Sequence, residues 1–217
     1  MRAVILAGGD RPDPTLLDTR WPGWRDATLV IAADGGARHA APLGLRLHQV
    51  IGDFDSLSAG DIDELEAAGI TVTRFPVNKD ATDTELALIA ALDAGATEIT
   101  LLCTWGGRSD HAIGTLALLA HPRGDGRSIV ILDEQTRTQL LRSGVTLTLR
   151  GVIGRTISLT PWGHSANVSA TGVRWTLDSA ELIAGSTRGI SNVATAAESV
   201  ITAHNGAVLV SEGGGAS

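Results

Sequence analysis

Short apolar runs alternate with helix-like segments over the first two thirds of the chain. The runs are rich in Val and Ile, and they cover residues 3–8, 28–34, 48–55, 70–76, 98–105 and 128–133. Helical spacing and capping signals fall between them, over residues 36–44, 58–69, 82–95 and 109–121. Strands that are apolar on both faces and separated by helices are typical of a mostly parallel sheet covered on two sides. We therefore predict an α/β domain, a mostly parallel sheet with flanking helices, over residues 1–142.

The pattern changes after residue 142. Apolar positions there alternate with polar ones in short runs, including residues 145–150, 155–162, 173–177 and 199–204, and Gly, Ser, Asn or Pro separates the runs. This pattern predicts a small all-β antiparallel sandwich domain over residues 143–217. A domain of this size has a thin core, so we expect it to lean on the first domain or on another subunit.

Composition and charge exclude several classes of protein. The chain has 217 residues, and its 43% of apolar residues is enough for a packed core. A net charge of -7 argues against a nucleic-acid-binding protein, which normally presents a basic face. The single cysteine, Cys103, excludes an internal disulfide and lies in an apolar run, so we expect a buried thiol. Because no apolar run reaches 18 residues and the N-terminus lacks a signal-peptide pattern, we expect a soluble, cytoplasmic protein without a membrane partner.

Polar and glycine residues follow the predicted strands of the first domain. The carboxyl ends of parallel strands share one edge of a sheet, and ligands bind in the crevice outside that edge. We therefore predict that five groups of residues meet in one site there. In chain order, they are Gly8, Gly9 and Asp10; Asp34, Gly35 and Gly36; Asp53 and Asp55; Lys79, Asp80 and Asp83; and Gly106, Gly107, Arg108, Asp110 and His111. Because His111 shows no metal-ligand spacing, we expect its side chain to be structural or exposed.

Asp53 and Asp55 are the strongest indication of a metal. Side chains two residues apart in extended backbone share a face, so these carboxylates would lie within roughly 7 Å and repel each other unless a cation lay between them. They could instead cap the helix that follows, but one cap does not require two carboxylates. Oxygen ligands without a nearby His or Cys favour a hard cation, and Mg²⁺ held together with substrate phosphates fits best.

Other residues of the predicted site suit a phosphate chain. Gly35 and Gly36 would let the backbone approach an anion at a helix N-terminus, or would simply form a turn. Lys79 supplies a point charge, and Arg108 can hold a phosphate bidentately. Neither GxxxxGK[ST] nor a clear GxGxxG is present. Carboxylates, cations and a metal are the parts that phosphoryl-type transfer needs, and physics alone leaves hydrolase and transferase both open.

The ordered set of motifs resembles the thiamine pyrophosphokinase family over nearly the whole chain. The motifs are ILAGG, ADGGA, GDFDS, KDATDTELAL and GGRSDH, followed by GVRWTL and STRGISN. The resemblance implies an α/β catalytic domain that binds ATP and metal, and a β-sandwich domain for thiamine binding and dimerisation. It also implies a homodimer with active sites between subunits. The implied reaction is Mg²⁺-dependent transfer of a pyrophosphoryl group from ATP to the hydroxyl of thiamine, giving thiamine diphosphate and AMP.

The motif match also implies residue roles. The metal ligands would be Asp53, Asp55 and Asp80, and the catalytic residues would be these three with Lys79, Asp83, Arg108 and Asp110. Nucleotide and thiamine would contact Asp34, Gly35, Gly36, Gly107, Arg108, Trp175, Ser191 and Asn192. Two positions depart from the family pattern, namely Val193, which follows Ser191-Asn192, and Trp105, which precedes the glycine pair.

Several alternatives stay open at this point. The carboxylate that orients the acceptor hydroxyl or takes its proton could be Asp80, Asp83 or Asp110. Trp175 could stack on the thiazolium cation or lie in the core. The acceptor could be another hydroxymethyl compound, such as a pterin. The protein could also be a sensor that binds a nucleotide or thiamine diphosphate without turnover.

Overall fold

The structure, a computed structural model, describes residues 1–54 and 59–215. The chain divides into two compact units, Met1–Glu134 and Gln135–Ser217. The sequence pattern placed the domain boundary after residue 142, whereas the structure divides the chain after Glu134. The reason is that Thr136–Leu141 forms a strand that pairs with the C-terminal strand of the second unit.

The first unit is an α/β sheet with flanking helices. Its strands are β1 (Arg2–Leu6), β2 (Leu29–Ala33), β3 (Gln49–Gly52), β4 (Thr71–Arg74), β5 (Glu98–Leu102) and β6 (Ser128–Leu132). Its α-helices are α1 (Pro14–Arg20), α2 (Ala59–Ala67), α3 (Asp83–Asp93) and α4 (Ser109–Ala117). Three short 3-10 helices cover Asp34–His39, Leu118–Ala120 and Pro122–Gly124. All six predicted strands are confirmed, with shorter bounds.

The strand order of the first unit determines where a ligand can bind. The order is β6-β5-β1-β2-β3-β4, and each of these neighbouring strands runs parallel to the next. The chain fills the sheet outward from β1 to β4 and then returns to the other side of β1 with β5. Loops after β1 and β5 therefore leave the sheet at the point where the strand order reverses, which is where open α/β sheets form a binding crevice.

The core explains why these strands read as continuous apolar runs. Ala3 to Leu6 of β1 are all buried, and so are Val30 to Ala33 of β2. One face of α3 contributes Ala87, Leu88, Ala91 and Leu92 to the interior. Because both faces of the central strands are covered, period-two alternation is absent there.

Two helices differ from the sequence pattern. The segment 36–44 was expected to be helical, but the structure has only the 3-10 helix Asp34–His39, since Pro42 and Gly44 do not favour a continued helix. The pattern also missed α1, although its start carries a recognisable signal. Asp13 caps that helix by accepting hydrogen bonds from the N–H groups of Thr15 and Leu16, and Pro14 occupies its first position.

The second unit is rich in strands, as predicted. They are β7 (Thr136–Leu141), β8 (Thr146–Arg150), β9 (Arg155–Thr171), β10 (Leu177–Leu182), β11 (Asn192–Val193) and β12 (Glu198–Gly215). Strand β12 pairs antiparallel with β7, β8 and β9, and β9 pairs antiparallel with β10 and β11. A separate core forms within this unit, including Ile157, Val168, Ile201 and Val210.

Strand lengths in the second unit depart from the pattern. β9 joins two segments that were predicted separately, and β12 does the same. Both strands pass through a glycine with positive φ, Gly163 at 77° and Gly206 at 74°, and their mutual register shifts near there. In a sequence pattern, glycine suggests the end of a strand, whereas here it forms a bulge within a continuous strand. The predicted strand 173–177 is wrong, because Val173 forms only an isolated bridge with Ala194 and the next strand begins at Leu177.

In the part of the chain that the structure covers, no helix is both long and apolar enough to cross a membrane.

Candidate active site

Predicted site residues meet at the carboxyl edge of the parallel sheet. Asp34 directly follows β2, Asp53 directly follows β3, and Lys79 lies in the loop after β4. Asp83 begins α3, whose N-cap Thr82 accepts a hydrogen bond from the N–H of Glu85 at 3.2 Å. Parallel pairing of β2, β3 and β4 brings these loops to the same side.

Four of these residues form what we call the carboxylate–lysine cluster: Asp34, Asp53, Lys79 and Asp83. The ammonium Nζ of Lys79 lies 2.9 Å from Oδ2 of Asp53 and 3.1 Å from Oδ1 of Asp83. These three side chains are only 13%, 14% and 23% exposed, in the order Lys79, Asp53 and Asp83. Asp34 lies against β3, since a Cβ atom at Gly52 would be 2.9 Å from the Cβ of Asp34. The cluster therefore has a fixed, largely desolvated centre.

Charge in this cluster is not balanced. Burial raises the pKa of Asp83, the hydrogen bond from Lys79 opposes that rise, and the charges of Asp53 and Asp34 add to it. For Lys79, burial works to lower the pKa, but hydrogen bonds to Asp53 and Asp83 outweigh burial and leave the pKa raised. Lys79 thus contacts the carboxylates of Asp53 and Asp83, Asp34 lies near enough for its charge to act on Asp83, and this concentration of negative charge suits a further cation.

The oxygen donors of the cluster fit a hard divalent cation. Of the predicted ligands, Asp53 belongs to the cluster, and Asp80 lies exposed in the loop before α3. Asp55 lies outside the described residues. Over residues 1–54 and 59–215, no three His, Cys, Asp or Glu side chains are grouped closely enough to hold a metal by themselves. The set Asp53, Asp55 and Asp80 stays a prediction.

A cavity of about 290 Å³ lies where the strand order reverses. It is lined by the loop after β1, the loop after β5 and the first turns of α3 and α4, including Gly8, Gly9, Thr84, Thr104, Gly107, Arg108 and His111. The two loops are tied together by hydrogen bonds from the N–H of Gly9 to the carbonyl of Cys103 and from the N–H of Asp10 to that of Trp105. Two helix N-termini beside a cationic side chain favour an anionic group in the cavity.

Glycine is required at two of the predicted positions. A Cβ atom at Gly36 would lie 2.3 Å from the carbonyl oxygen of Leu6, so the 3-10 helix that also holds Gly35 packs directly on the end of β1. Gly107 has a φ of 64°, which L side chains rarely adopt. Close backbone packing and a left-handed turn therefore shape the edge where the cavity lies.

Arg108 and Asp110 form a pair apart from the cluster. Nε and one terminal nitrogen of Arg108 donate to the two carboxylate oxygens of Asp110, at 3.1 and 2.6 Å. Both side chains are well exposed, at 71% and 65%. The hydrogen bond from Arg108 is the largest cause that lowers the pKa of Asp110, to about 2. Arg108 also lines the cavity, so its guanidinium is the part of this pair that can meet an anion there.

Sequence reasoning gave no functional role to three residues that line this cavity. Thr84 is the second residue of α3, so the same helical turn serves both the cluster and the cavity. Thr104 is buried, and its hydroxyl has no hydrogen-bond partner among the described residues. His111, expected to be structural or exposed, is exposed and lines the cavity. The one feature of the sequence that could have identified these residues is their position, in a loop after a strand or in the first turn of a helix.

Cys103 lies directly after β5 as a core residue, as expected. It is 2% exposed, and burial raises the pKa of its thiol to about 12.

A second cavity, of about 640 Å³, belongs to the second unit. Trp175 lines it with 57% of its surface exposed, so the alternative that placed this side chain in the core is wrong. The guanidinium of Arg174 lies 5.6 Å from the centre of the indole ring. Arg174 and Arg188 also line this cavity and were not singled out by their sequence pattern.

The side-chain amide of Asn192 holds Trp175 in place by hydrogen bonds to the backbone of Trp175. Oδ1 of Asn192 accepts hydrogen bonds from the N–H groups of Trp175 and Val193, and Nδ2 donates to the carbonyl of Trp175 at 2.7 Å. The amide thus replaces a neighbouring strand, which explains why the predicted strand at Trp175 does not form. Ser191 is exposed with a φ of 64°, and its N–H donates to the hydroxyl of Ser158. Contact of Ser191 and Asn192 with an acceptor stays a prediction.

Comparison with known proteins matches both units. The family model described as the catalytic domain of thiamin pyrophosphokinase matches residues 22–131, and its vitamin B1 binding domain matches residues 145–208. The chain is 30% identical to the thiamine pyrophosphokinase of Bacillus subtilis (strain 168) over 193 residues, which is 87% of each protein. It is 27% identical to thiamine pyrophosphokinase 2 of Arabidopsis thaliana over 212 residues, covering 86% of this chain and 78% of that one.

Solved structures agree with these matches. The crystal structure of the B. subtilis thiamine pyrophosphokinase superimposes with a TM-score of 0.83 at 26% identity, covering 98% of this chain and 99% of that one. For the thiamin pyrophosphokinase of Geobacillus thermodenitrificans the TM-score is 0.82 at 28% identity, with 100% and 99% covered. Since both domains match in order and the relatedness extends over most of the length, the chain belongs to the thiamin pyrophosphokinase family, whose general reaction is ATP-dependent transfer of a pyrophosphoryl group to thiamine.

Proposed function

We propose that this enzyme uses Mg²⁺ and transfers the pyrophosphoryl group of ATP to the hydroxyl oxygen of thiamine, releasing AMP. The observation that supports this most is the carboxylate–lysine cluster on the same sheet edge as the glycine-rich cavity. The cluster can take a metal and the cavity can take an anion, and Thr84 next to Asp83 links the two. The phosphate chain of a nucleotide needs both a metal site and an anion site.

Within this proposal, Asp53, Asp55 and Asp80 hold the metal, which neutralises charge on the phosphate chain when it is bound. Asp53 and Asp83 already hold the ammonium group of Lys79 in place, so the Lys79 side chain loses little conformational freedom when it binds the phosphates. Arg108, which lines the cavity, binds the anion there. The nucleotide contacts the backbone around Asp34, Gly35, Gly36 and Gly107.

We assign the proton of the acceptor hydroxyl to Asp83 rather than Asp110. A raised pKa makes the Asp83 carboxylate the stronger base, because burial and the neighbouring carboxylates favour its protonated form. Arg108 lowers the pKa of Asp110 to about 2, which makes that carboxylate a weak base. Asp110 instead orients Arg108.

The acceptor is assigned to the cavity of the second unit. The exposed indole of Trp175 offers an aromatic face to the thiazolium cation, an interaction of about 0.5–2 kcal/mol. Asn192 lines the same cavity and Ser191 directly precedes it, and within this proposal both supply polar contacts to the acceptor. We also propose that the second unit is a β-sandwich, which is supported by the pairing of the first half of β12 with β8 and of its second half with β7.

We further propose that the enzyme works as a homodimer. Ile153, Ile183 and Ile190 of the second unit are 64%, 59% and 44% exposed, and burial of such side chains favours association. Light scattering should then give about twice the chain mass of 22.4 kDa. A monomer mass at micromolar concentration would contradict this part of the proposal.

The reaction is tested by its nucleotide product. Incubation with ATP, Mg²⁺ and thiamine should release AMP, and ADP as the only product would refute pyrophosphoryl transfer. Release of AMP with a pterin but not with thiamine would move the acceptor to another hydroxymethyl compound. Ligand binding without any nucleotide product would identify a sensor.

Asp53→Asn tests the cluster directly. We expect turnover to fall by roughly 10²–10³-fold, because a preorganised charge at the phosphate site is lost while the fold is kept. Asp63→Asn, an exposed change on α2, is the matched control and should leave turnover unchanged. Normal activity of Asp53→Asn at saturating Mg²⁺ would show that the metal role of Asp53 is wrong.

A further inference from the structure

The cavity of the second unit carries an unexpected charge. Arg174 and Arg188 both line it, and no Asp or Glu of the described part of the chain does so. Neither guanidinium has an ion pair within residues 1–54 and 59–215. Two other arginines of this unit are paired, Arg150 with Glu198 at 2.9 Å and Arg155 with Glu212 at 2.6 Å.

This charge does not suit thiamine alone. The thiazolium ring is a cation, and two guanidinium groups beside it raise the free energy of the bound substrate. A diphosphate group reverses the balance, since a terminal phosphate carries about −1.5 to −2 charges near pH 7. Thiamine diphosphate is therefore an anion with a cationic ring, and it matches a cavity that has both an aromatic face and two guanidinium groups.

We propose that Arg174 and Arg188 form an anion subsite for the diphosphate group of thiamine diphosphate. The cavity then binds the product more tightly than thiamine, and free product competes with thiamine for the second unit. This inference rests on the proposed function, since it takes thiamine as the acceptor that enters this cavity. Guanidinium groups bind phosphate oxygens bidentately, and that geometry discriminates a diphosphate from a hydroxyl.

The test is a calorimetric titration of the full chain without ATP. Thiamine, thiamine diphosphate and inorganic pyrophosphate are titrated into the wild type, Arg174→Gln, Arg188→Gln and the control Arg150→Gln. Arg150 is 70% exposed in the same unit, so this control makes the same charge change away from the cavity. Circular dichroism and thermal unfolding of each variant establish that the fold is retained.

We expect the wild type to bind thiamine diphosphate more tightly than thiamine. Each cavity variant should raise the Kd for thiamine diphosphate by roughly tenfold or more, because a charge-assisted hydrogen bond is lost. Thiamine should bind the variants as well as, or better than, the wild type, and Arg150→Gln should change neither ligand. In steady-state assays, added thiamine diphosphate should raise the KM for thiamine in the wild type and do so less in the two variants.

Three outcomes would overturn the inference, and they differ in what else they affect. Unchanged thiamine diphosphate affinity in both variants, with normal AMP release, removes the subsite and leaves the proposed reaction intact. Pyrophosphate that binds these arginines without competing with thiamine diphosphate shows an adventitious ion only. A wild type that releases no AMP and binds neither thiamine compound removes the proposed function, and the subsite with it.

Discussion

Replacing Lys79 with Met should reveal the charge imbalance of the carboxylate–lysine cluster. Methionine keeps the length of the lysine side chain up to its ε position, with sulfur in place of one methylene, and removes the ammonium group. Asp53 and Asp83 would then lose the cation that lies 2.9 and 3.1 Å from them, and Asp34 would add to their repulsion. We expect a folded variant with reduced stability.

The size of the loss follows from distance and burial. At an effective dielectric constant of about 20, unit charges about 3 Å apart attract by roughly 5 kcal/mol, before desolvation is subtracted. Removing one partner of a buried pair costs about 3–5 kcal/mol. Because Asp83 keeps 23% exposure, water screens part of the repulsion, and we expect the free energy of unfolding to fall by about 2–4 kcal/mol.

Mg²⁺ should restore part of this stability. Without Lys79 the cluster holds three carboxylates, so a divalent cation gains more there than in the wild type. A ligand at 100 times its Kd stabilises the folded state by about 2.7 kcal/mol. The increase in stability on adding Mg²⁺ should therefore be larger in Lys79→Met than in the wild type.

Urea unfolding followed by tryptophan fluorescence measures both effects. Trp21 and Trp24 are 8% and 7% exposed in the first unit, so they report on its unfolding. Arg2→Met is the control, because Arg2 pairs with Glu98 at 3.0 Å on the surface and should contribute at most about 1 kcal/mol. A Lys79→Met variant within about 0.5 kcal/mol of the wild type, with no added response to Mg²⁺, would refute the reasoning.

Further predictions concern the other polar groups of the two sites. Asn192→Ala removes both hydrogen bonds to the backbone of Trp175, so the KM for thiamine should rise by roughly tenfold with a smaller change in kcat, and unchanged kinetics would contradict the clamp. The pKa of Asp83 is higher in the folded state than in the unfolded state, so the contribution of this carboxyl to stability falls as pH rises through the interval between the two values. In urea titrations, Asp83→Asn should therefore become more stable relative to the wild type as pH rises from acidic to neutral. Its turnover should fall. Burial and a thiol pKa of about 12 predict that Cys103 does not react with a disulfide reagent at pH 8 until the protein unfolds, and rapid labelling of native protein would contradict this.

The sequence alone determined the architecture of the first unit and the edge where its chemistry lies. Val- and Ile-rich runs without alternation indicate strands covered on both faces, and helices between them require parallel connections. Once the strands are parallel, residues after β2, β3 and β4 must share one edge, and this is why Asp34, Asp53 and Lys79 could be grouped from the sequence. The reason is that burial periodicity, and the helical connections that make neighbouring strands parallel, can both be recognised in local stretches of the chain.

Only the tertiary structure decided which side chains pair. Lys79 and Asp53 are 26 residues apart, and their contact depends on the paths of two loops that no local pattern encodes. The exposure of Trp175 depends likewise on Asn192, which lies 17 residues further along and binds its backbone where a strand had been predicted. The alternating pattern around Trp175 predicts a strand whether or not this residue joins the sheet. Long-range hydrogen bonds, which carry no periodic signal, determined whether the residue joined the sheet or faced a cavity.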